Sequence, residues 1–134
     1  YNEDGTFKED IHYTVVERFI AAEECEVDDF FKQMYINCKE GDVVEMMSSA
    51  GLPANAIISP YVKKVLNETT EPPKHCDRCL KKCTYKFCVN ERLVKAHDGN
   101  YEEGIFFAGR DAWKINEILS VKEIFDRFKK VFKE

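Results

Sequence analysis

The segment that most constrains the fold of this chain is Cys76-Asp77-Arg78-Cys79-Leu80-Lys81-Lys82-Cys83-Thr84-Tyr85-Lys86-Phe87-Cys88. It holds four of the six cysteines of the chain. Spacings of three and four residues return to the same face of an α-helix, so the sequence predicts that Cys76, Cys79 and Cys83 form one stripe. The helix that carries this stripe is expected over residues 74–96, and its cysteines could be joined to neighbouring helices.

All six cysteines are predicted to form disulfides. An even number of cysteines with none left over fits a disulfide framework, and such a framework persists only in oxidising compartments. Bridges from the cysteine helix to the two upstream cysteines are favoured, while the connectivity stays open. The predicted set is Cys25, Cys38, Cys76, Cys79, Cys83 and Cys88. The sequence therefore predicts three disulfides and a secreted, extracellular protein.

Two other interpretations of residues 76–88 stay open. Four thiolates could bind zinc, although structural zinc sites usually place two C-x2-C pairs on either side of a longer loop. Cys76 and Cys79 could instead form a redox pair at a helix start, although no βαβ pattern surrounds them. The preferred interpretation is structural, so the sequence predicts no metal and no cofactor.

Composition indicates one globular domain without a membrane span. The chain has 134 residues, of which 44% are hydrophobic and 13% aromatic, so residues 1–134 are predicted to form a single domain. No apolar run approaches the roughly 18 residues that a transmembrane helix needs. The net charge of -5 argues against nucleic acid as the main partner.

Charge is distributed unevenly along the chain. Residues 1–46 carry 13 acidic and 4 basic side chains, whereas residues 71–97 carry 7 basic and 3 acidic side chains. The basic residues either form an ordinary solvated helix face or bind an acidic partner. The candidates for partner binding are Lys74, Arg78, Lys81, Lys82, Lys86, Arg92 and Lys95.

Hydrophobic spacing is typical of helices almost throughout the chain, and no segment shows the alternation of a half-buried strand. Local capping signals support several helix starts, namely Thr6 with Glu9, Ser59-Pro60, Asn100 with Glu103 and Ser120 with Glu123. The expected fold class is all-α, a compact disulfide-stapled bundle of about five to seven helices. Helices are expected within 6–20, 27–38, 60–66, 74–96 and 121–132. Further helical pieces are expected within 42–50, in the segment that begins at 100–103, and within 110–119.

Motifs that carry catalysis are missing from the sequence. It has no phosphate-binding glycine loop, no Gly-x-Ser-x-Gly and no His-Glu-x-x-His. His97-Asp98 is interpreted as a chance match to a catalytic pair. Asn67-Glu68-Thr69 is a candidate N-glycosylation acceptor. The sequence therefore predicts a binding protein and not an enzyme.

The segment Cys79–Cys83 and the later stretch 94–103 resemble the central part of insect odorant-binding-like proteins. In that family a C-x3-C helix is followed by an acidic Asp-Gly turn and another helix. The resemblance covers residues 76–103 and implies that Cys38 pairs with Cys83. Because the other cysteines are rearranged, the chain looks more like the divergent salivary proteins of blood-feeding insects. That resemblance implies an effector that binds host mediators or host proteins.

The expected function is therefore that of a secreted salivary effector without enzymatic activity. It would modulate host immunity or haemostasis by binding a host macromolecule through a charged surface. A first alternative is a soluble carrier of a small hydrophobic ligand in an apolar interhelical pocket. A second is a helical cytokine-like or structural module. The sequence leaves the oligomeric state and the identity of the target open.

Overall fold

A computed structural model describes residues 16–133 of the chain and, within these, the side chains of residues 17–130. In chain order its elements are helix α1 (Val16–Ile20), helix α2 (Asp29–Ile36), strand β1 (Val43–Met47), strand β2 (Pro53–Ile57), helix α3 (Pro60–Leu66), helix α4 (Val89–His97), a 3-10 turn (Ala112–Lys114) and helix α5 (Val121–Lys133).

An antiparallel β-hairpin occupies the middle of the described chain. Strands β1 and β2 pair in a register that places Val43 opposite Ile57 and Met47 opposite Pro53. Gly51, with a φ of 78°, takes the left-handed conformation that the tight connection between the strands requires. The all-α expectation is therefore wrong, as is the helix expected over 42–50. The β-branched Val43 and Val44 favour a strand, and the pairing with β2 overrides helical spacing.

Two clusters of buried apolar side chains lie around the hairpin. One joins Tyr35 of α2 to Ile57 of β2 and to Phe106, and the other joins Met46 of β1 to Val62 of α3. The backbone N–H of Ile57 donates to the carbonyl of Phe106 at 2.8 Å, so the segment around Phe106 lies along the edge of β2. The hairpin is thus the centre of the packed part of the molecule.

A third apolar cluster joins the end of α1 to α5. Ile124 is fully buried there, whereas Phe125 is 50% exposed and Phe128 is half-buried against Phe19. Phe125 therefore lies at the edge of this cluster and not in its buried centre. The expected cap is confirmed, because Ser120 and Glu123 exchange backbone and side-chain hydrogen bonds at the start of α5.

The expected caps and boundaries of the other helices have mixed outcomes. Ser59 caps α3 as expected, since its hydroxyl accepts a hydrogen bond from the N–H of Val62 at 3.4 Å. The Asn100 side chain accepts a bond from the Glu103 N–H, but a turn follows and not a helix. The helix expected over 110–119 is only the short 3-10 turn. The cap expected at Thr6 and Glu9 lies outside the described residues.

The structure contains no disulfide among the described residues, which include all six cysteines. The helix expected over residues 74–96 is also wrong. The regular helix of this region is limited to α4, which begins after the last cysteine. Without the expected helix the cysteine stripe does not form, and the predicted stapled bundle is wrong. In the part of the chain that the structure describes, no helix is both long enough and apolar enough to cross a membrane.

Candidate functional site

The cysteine segment, residues 69–88, follows α3 and contains neither helix nor strand. Pro72 and Pro73 lie near its start and have no backbone N–H to offer to a helix. Further along, Arg78 and Tyr85 have φ angles of 54° and 56°, in the left-handed region that interrupts a right-handed helix. The cysteines therefore lie on an irregular path and not on one helical face.

The cysteine segment is attached to the turn of the hairpin. The N–H of Thr84 donates to the carbonyl of Ser49 at 2.8 Å. Phe87 anchors the end of the segment, since it is buried and packs edge-on against Tyr61 with ring centroids 6.0 Å apart. These two contacts fix residues 84–87, and with them the flanking Cys83 and Cys88, against the hairpin turn and α3.

One cavity of about 240 Å³ lies between the cysteine segment and the hairpin turn. It is lined by four cysteines, Cys76, Cys79, Cys83 and Cys88. Ser49 contributes to the wall, is fully buried, and has a side-chain hydroxyl without a hydrogen-bond partner. The cavity therefore brings four thiols and one unsatisfied hydroxyl together. Cys25 and Cys38 do not belong to its lining.

Backbone amides point at three of the four sulfur atoms. The donor–acceptor pairs are Arg78 N–H to Cys76 Sγ at 3.4 Å, Tyr85 N–H to Cys83 Sγ at 3.4 Å and Glu91 N–H to Cys88 Sγ at 3.5 Å. In the first two pairs the donor lies two residues after the cysteine and has a left-handed φ. Amides arranged in this way place partial positive charge around an acceptor and favour a negative group there.

Cys88 has a second structural role as the N-cap of α4. Its extended backbone and its sulfur take the place that Ser, Asp or Asn usually occupies at a helix start. The partial positive charge of the helix N-terminus also favours an anionic sulfur at this position. The end of the cysteine segment and the start of α4 are therefore connected through one side chain.

The predicted basic residues divide into two groups. Arg78 and Lys81 belong to the lining of the cavity. The exposed members of the set are Lys74, Arg78, Lys81, Lys82 and Lys86. Of these, Lys86 lies 3.5 Å from the carboxylate of Glu68, an exposed pair of small energetic weight. Binding of an acidic partner by these exposed residues stays a prediction.

Arg92 differs from the other basic residues because it is buried. Its guanidinium lies 4.3 Å from the ring centroid of Tyr61 and 2.6 Å from the carboxylate of Glu91. It also donates to the carbonyl of Glu103 at 3.0 Å. Burial raises the pKa of Tyr61, and the positive charge of Arg92 opposes that rise. Arg92 stabilises the fold around α4 and is not available to a partner, while Lys95 pairs with Glu103 at 3.4 Å.

Three other residues noted in the sequence lie on the surface. His97 contacts Asp98 at 3.1 Å as an exposed neighbouring pair, and His75 contacts Asp77 in the same way at 2.7 Å. Asn67 is exposed at the C-terminal end of α3. Its glycosylation stays a prediction.

Two further cavities differ from the pocket expected of a hydrophobic carrier. One, of about 240 Å³, lies between α5 and residues 114–117 and includes Arg18 and Arg127 in its lining. The other, of about 330 Å³, lies beside β1 and the end of α3 and includes Glu45 and Glu68. Charged side chains at both walls distinguish them from a closed apolar pocket.

Sequence reasoning missed the hairpin and therefore missed Ser49. A usable signal was present, because Gly51-Leu52-Pro53 is a turn sequence between Val43-Val44 and Ala56-Ile57-Ile58. Short apolar runs on either side of a glycine turn are typical of a hairpin. The position of Arg92 over Tyr61 had no comparable signal in the sequence.

Comparison with known proteins gives a consistent result. The family model for nitronate monooxygenase matches residues 13–129. FabK from Thermotoga maritima is similar in structure, with a TM-score of 0.68 and 27% identity, and the match covers 87% of this chain and 35% of that chain. For a mutant of that FabK the TM-score is 0.65 and the identity 26%, covering 87% and 32% of the two chains. No curated protein matches the sequence.

These similarities overturn the functional expectation. The salivary, odorant-binding-like resemblance is wrong, because residues 76–103 fall inside the region that the family model matches. The expectations of a non-enzymatic effector, of a hydrophobic carrier and of no enzymatic role are wrong with it, because the family is one of enzymes. The secreted location stays a prediction, although its main argument, the disulfides, has been lost. The chain spans about a third of the length of the FabK chains it matches. Since the family match extends over nearly the whole sequence, the chain belongs to the nitronate monooxygenase family.

Proposed function

We propose that this chain is part of an oxidoreductase that oxidises nitronates, the anions of nitroalkanes, with molecular oxygen. The observation that carries the proposal is the family match over residues 13–129. The similarity to FabK at 26–27% identity supports an oxidoreductase of the same general type. The family match includes the hairpin and the cysteine segment.

The described residues do not build a complete active site of this type. FabK and the nitronate monooxygenases are of the TIM-barrel type, and such a barrel needs eight parallel strands and about 250 residues. The described residues contain one antiparallel hairpin. We therefore infer that the described residues contribute only part of such a site.

Oxygen chemistry and hydride transfer both require a redox cofactor, because amino-acid side chains supply neither. Such a cofactor needs a cavity large enough to enclose it. Two cavities of the described residues, each of about 240 Å³, are smaller than ordinary ligand pockets, and the third, of about 330 Å³, only just exceeds the lower limit of roughly 300 Å³. The residues described here do not fit a redox cofactor by themselves, so no catalytic step is derived through one.

Oxygen consumption tests the proposal. The full-length protein, purified with its redox cofactor bound, is mixed with the anion of a simple nitroalkane, and dissolved oxygen is followed together with the loss of the nitronate. We expect consumption that depends on both the protein and the nitronate, with the neutral nitroalkane as the matched control. Failure to oxidise the nitronate in a preparation containing a bound redox cofactor would contradict the proposal.

The similarity to FabK, an enoyl-ACP reductase, favours a second candidate function. In that case the protein would reduce an enoyl thioester with electrons from a nicotinamide cofactor. The two functions are separated by assaying the same preparation for nicotinamide oxidation upon addition of an enoyl thioester. Reduction without nitronate oxidation would replace the first proposal by the second.

A further inference from the structure

The four cysteines of the cavity have a donor set and a spacing suited to a soft metal. The thiolates of Cys76, Cys79, Cys83 and Cys88 would supply four sulfur ligands within 13 residues, in the pattern C-x2-C-x3-C-x4-C. Soft thiolate ligands select zinc or iron–sulfur centres over oxygen-binding cations. Because all four cysteines contribute to the lining of one cavity, the fold brings these residues into one region of the molecule.

The backbone around these cysteines is arranged for anionic sulfur. Three of the four sulfur atoms accept a backbone N–H at 3.4–3.5 Å. Left-handed residues at Arg78 and Tyr85 turn those amides toward Cys76 and Cys83. Concave arrangements of N–H groups of this kind bind anions and recur at iron–sulfur sites. A neutral thiol gains less from such donors than a thiolate does.

The surrounding charge has the sign that a thiolate centre requires. Four thiolates with one divalent cation carry a net charge of -2, and a cationic surrounding stabilises that charge. Arg78 and Lys81 belong to the lining of the cavity, and Lys74, Lys82 and Lys86 are exposed nearby. Asp77, also in the lining, is engaged by His75 at 2.7 Å. The basic cluster thereby acquires a physical role without an acidic protein partner.

The buried side chain of Ser49 is a further indication of a ligand in this cavity. Its side chain is fully buried in the cavity wall, and its hydroxyl has no hydrogen-bond partner. A buried polar group without a partner is unfavourable by about 1–3 kcal/mol and is therefore uncommon. A sulfur ligand or a metal-bound group in the cavity would give the hydroxyl an acceptor.

We propose that Cys76, Cys79, Cys83 and Cys88 form a four-thiolate metal site. As the side chains stand, no three His, Cys, Asp or Glu groups of the described residues are arranged to hold a metal ion. Convergence therefore requires rotation of the cysteine side chains, which an irregular segment permits more readily than a helix does. Binding releases the thiol protons and orders the segment, because metal binding is coupled to folding. This site is independent of the proposed oxidoreductase activity.

Two metal centres share this ligand chemistry. A single Zn²⁺ would take the four sulfur atoms in a tetrahedron at about 2.3 Å, and an iron–sulfur cluster would use the same four thiolates. The short spacing, with at most four residues between ligands, is compatible with a compact site of either kind. The experiment must therefore measure zinc, iron and acid-labile sulfide separately.

The test uses the full chain prepared without oxygen and in the presence of a reductant, so that disulfide formation does not compete. Zinc, iron and sulfide are quantified in the protein as isolated, and again after addition of either Zn²⁺ or ferrous iron with sulfide. We expect one zinc ion per chain, or one cluster per chain with matching sulfide. Alkylation followed by peptide mapping should show the four cavity cysteines protected until a chelator removes the metal.

Variants separate the site from the fold. Cys88→Ser keeps a good helix N-cap while removing a thiolate, and Cys79→Ser removes a ligand that has no capping role. Loss of either ligand should lower the metal affinity by more than about 100-fold, beyond the range produced by residues that merely support a ligand. The matched control is Cys25→Ser, outside the cavity, which should bind metal like the unchanged chain.

Three results would overturn the proposal. The first is an unchanged chain that stays free of metal after both additions while all four cavity cysteines react. The second is the same metal content in Cys79→Ser and Cys88→Ser as in Cys25→Ser, with the far-ultraviolet circular dichroism unchanged. The third is equal metal loss in all three variants, which would indicate scattered surface binding. None of these readouts depends on enzymatic activity.

Discussion

The hairpin with its surrounding helices and the cysteine segment are ordered by different forces. The hairpin is held by paired strands, by backbone bonds to Phe106 and by side chains that are fully buried on both sides. In residues 69–88, by contrast, Phe87 is the one buried side chain, and amide–sulfur contacts replace the usual amide–carbonyl bonds.

Two regions of one chain can thus be held in place by different interactions. Burial of apolar surface stabilises the hairpin at roughly 25 cal/mol per Å², and this contribution does not depend on any ligand. The cysteine segment buries too little apolar surface to gain much in that way. Substitutions of buried residues in the hairpin region should therefore change global stability, whereas substitutions of exposed residues in the cysteine segment should not.

The largest expected effect comes from Phe106→Ala. Phe106 is fully buried and contacts the Phe31 ring with centroids 5.0 Å apart. Its truncation should lower the free energy of unfolding by about 3–5 kcal/mol, because it leaves a cavity in the core. Chemical denaturation measures the change. The matched control Phe125→Ala, at a half-exposed ring, should lose much less unfolding free energy. Equal losses in the two variants would contradict the role assigned to the buried Phe106.

A smaller loss is expected for Gly104→Ala. A methyl group there would lie 2.7 Å from the carbonyl oxygen of Asn100 and 2.8 Å from the Cα atom of Ala96. Both are backbone atoms that cannot move aside by a side-chain rotation. The free energy of unfolding should fall by about 1–3 kcal/mol, the range for overpacking. The exposed neighbour Glu102 provides the control, since thermal melting of Glu102→Ala should match that of the unchanged chain.

Tyr35→Phe tests a polar contact inside the core. The Tyr35 hydroxyl donates to the carbonyl of Phe107, and its removal should destabilise the chain by about 1–2 kcal/mol at neutral pH. The matched control is Tyr85→Phe, because Tyr85 is 55% exposed. Denaturant unfolding of the control should give a change within about 0.5 kcal/mol.

The same tyrosine gives a pH dependence with a defined sign. Burial, with a smaller contribution from Glu17, raises the pKa of Tyr35, and burial likewise raises the pKa of Cys38. A raised pKa means that the folded chain keeps a proton which the unfolded chain releases above about pH 10 for tyrosine. Stability from Tyr35 is therefore present below that pH and is lost as the pH rises. The stability difference between Tyr35→Phe and the unchanged chain should shrink in alkaline solution, and a constant difference would contradict this assignment.

The smallest effect on the free energy of unfolding is expected for substitutions in the cysteine segment. Lys81 and Lys82 are exposed in the cysteine segment, and replacement of each by Glu should change the metal-free unfolding free energy by less than about 0.5 kcal/mol. If the metal site exists, the double replacement should weaken metal binding, because it removes compensating positive charge. Denaturation with and without added metal measures both. A large loss of stability without metal would show that the segment belongs to the packed core.

The sequence predicted the features that depend on neighbouring residues. Ser59 and Ser120 were identified as caps because a cap is formed within one turn of its helix. The pairing of β1 with β2 depends on residues up to 14 positions apart, as in Val43 with Ile57, and the buried and exposed residues of β1 do not alternate cleanly. Strand assignment from alternation therefore failed there.

The cysteine segment failed for a different reason. Spacings of three and four residues fit a helical stripe, but they fit a compact ligand set equally well. The left-handed conformations of Arg78 and Tyr85 distinguish the two, and neither residue type signals such a conformation. The burial of Arg92 depends on packing against Tyr61, which lies 31 positions away and could not be inferred locally.

The position of Cys88 makes secondary structure sensitive to cellular chemistry. An ordinary serine or aspartate cap is chemically inert, whereas a sulfur atom at the same place can be oxidised, alkylated or exchanged between partners. Each of these events changes the acceptor that receives the Glu91 N–H at the first turn of α4. Hydrogen exchange at that single amide would consequently record the chemical history of the sulfur. The start of α4 therefore depends on the chemical state of one sulfur atom.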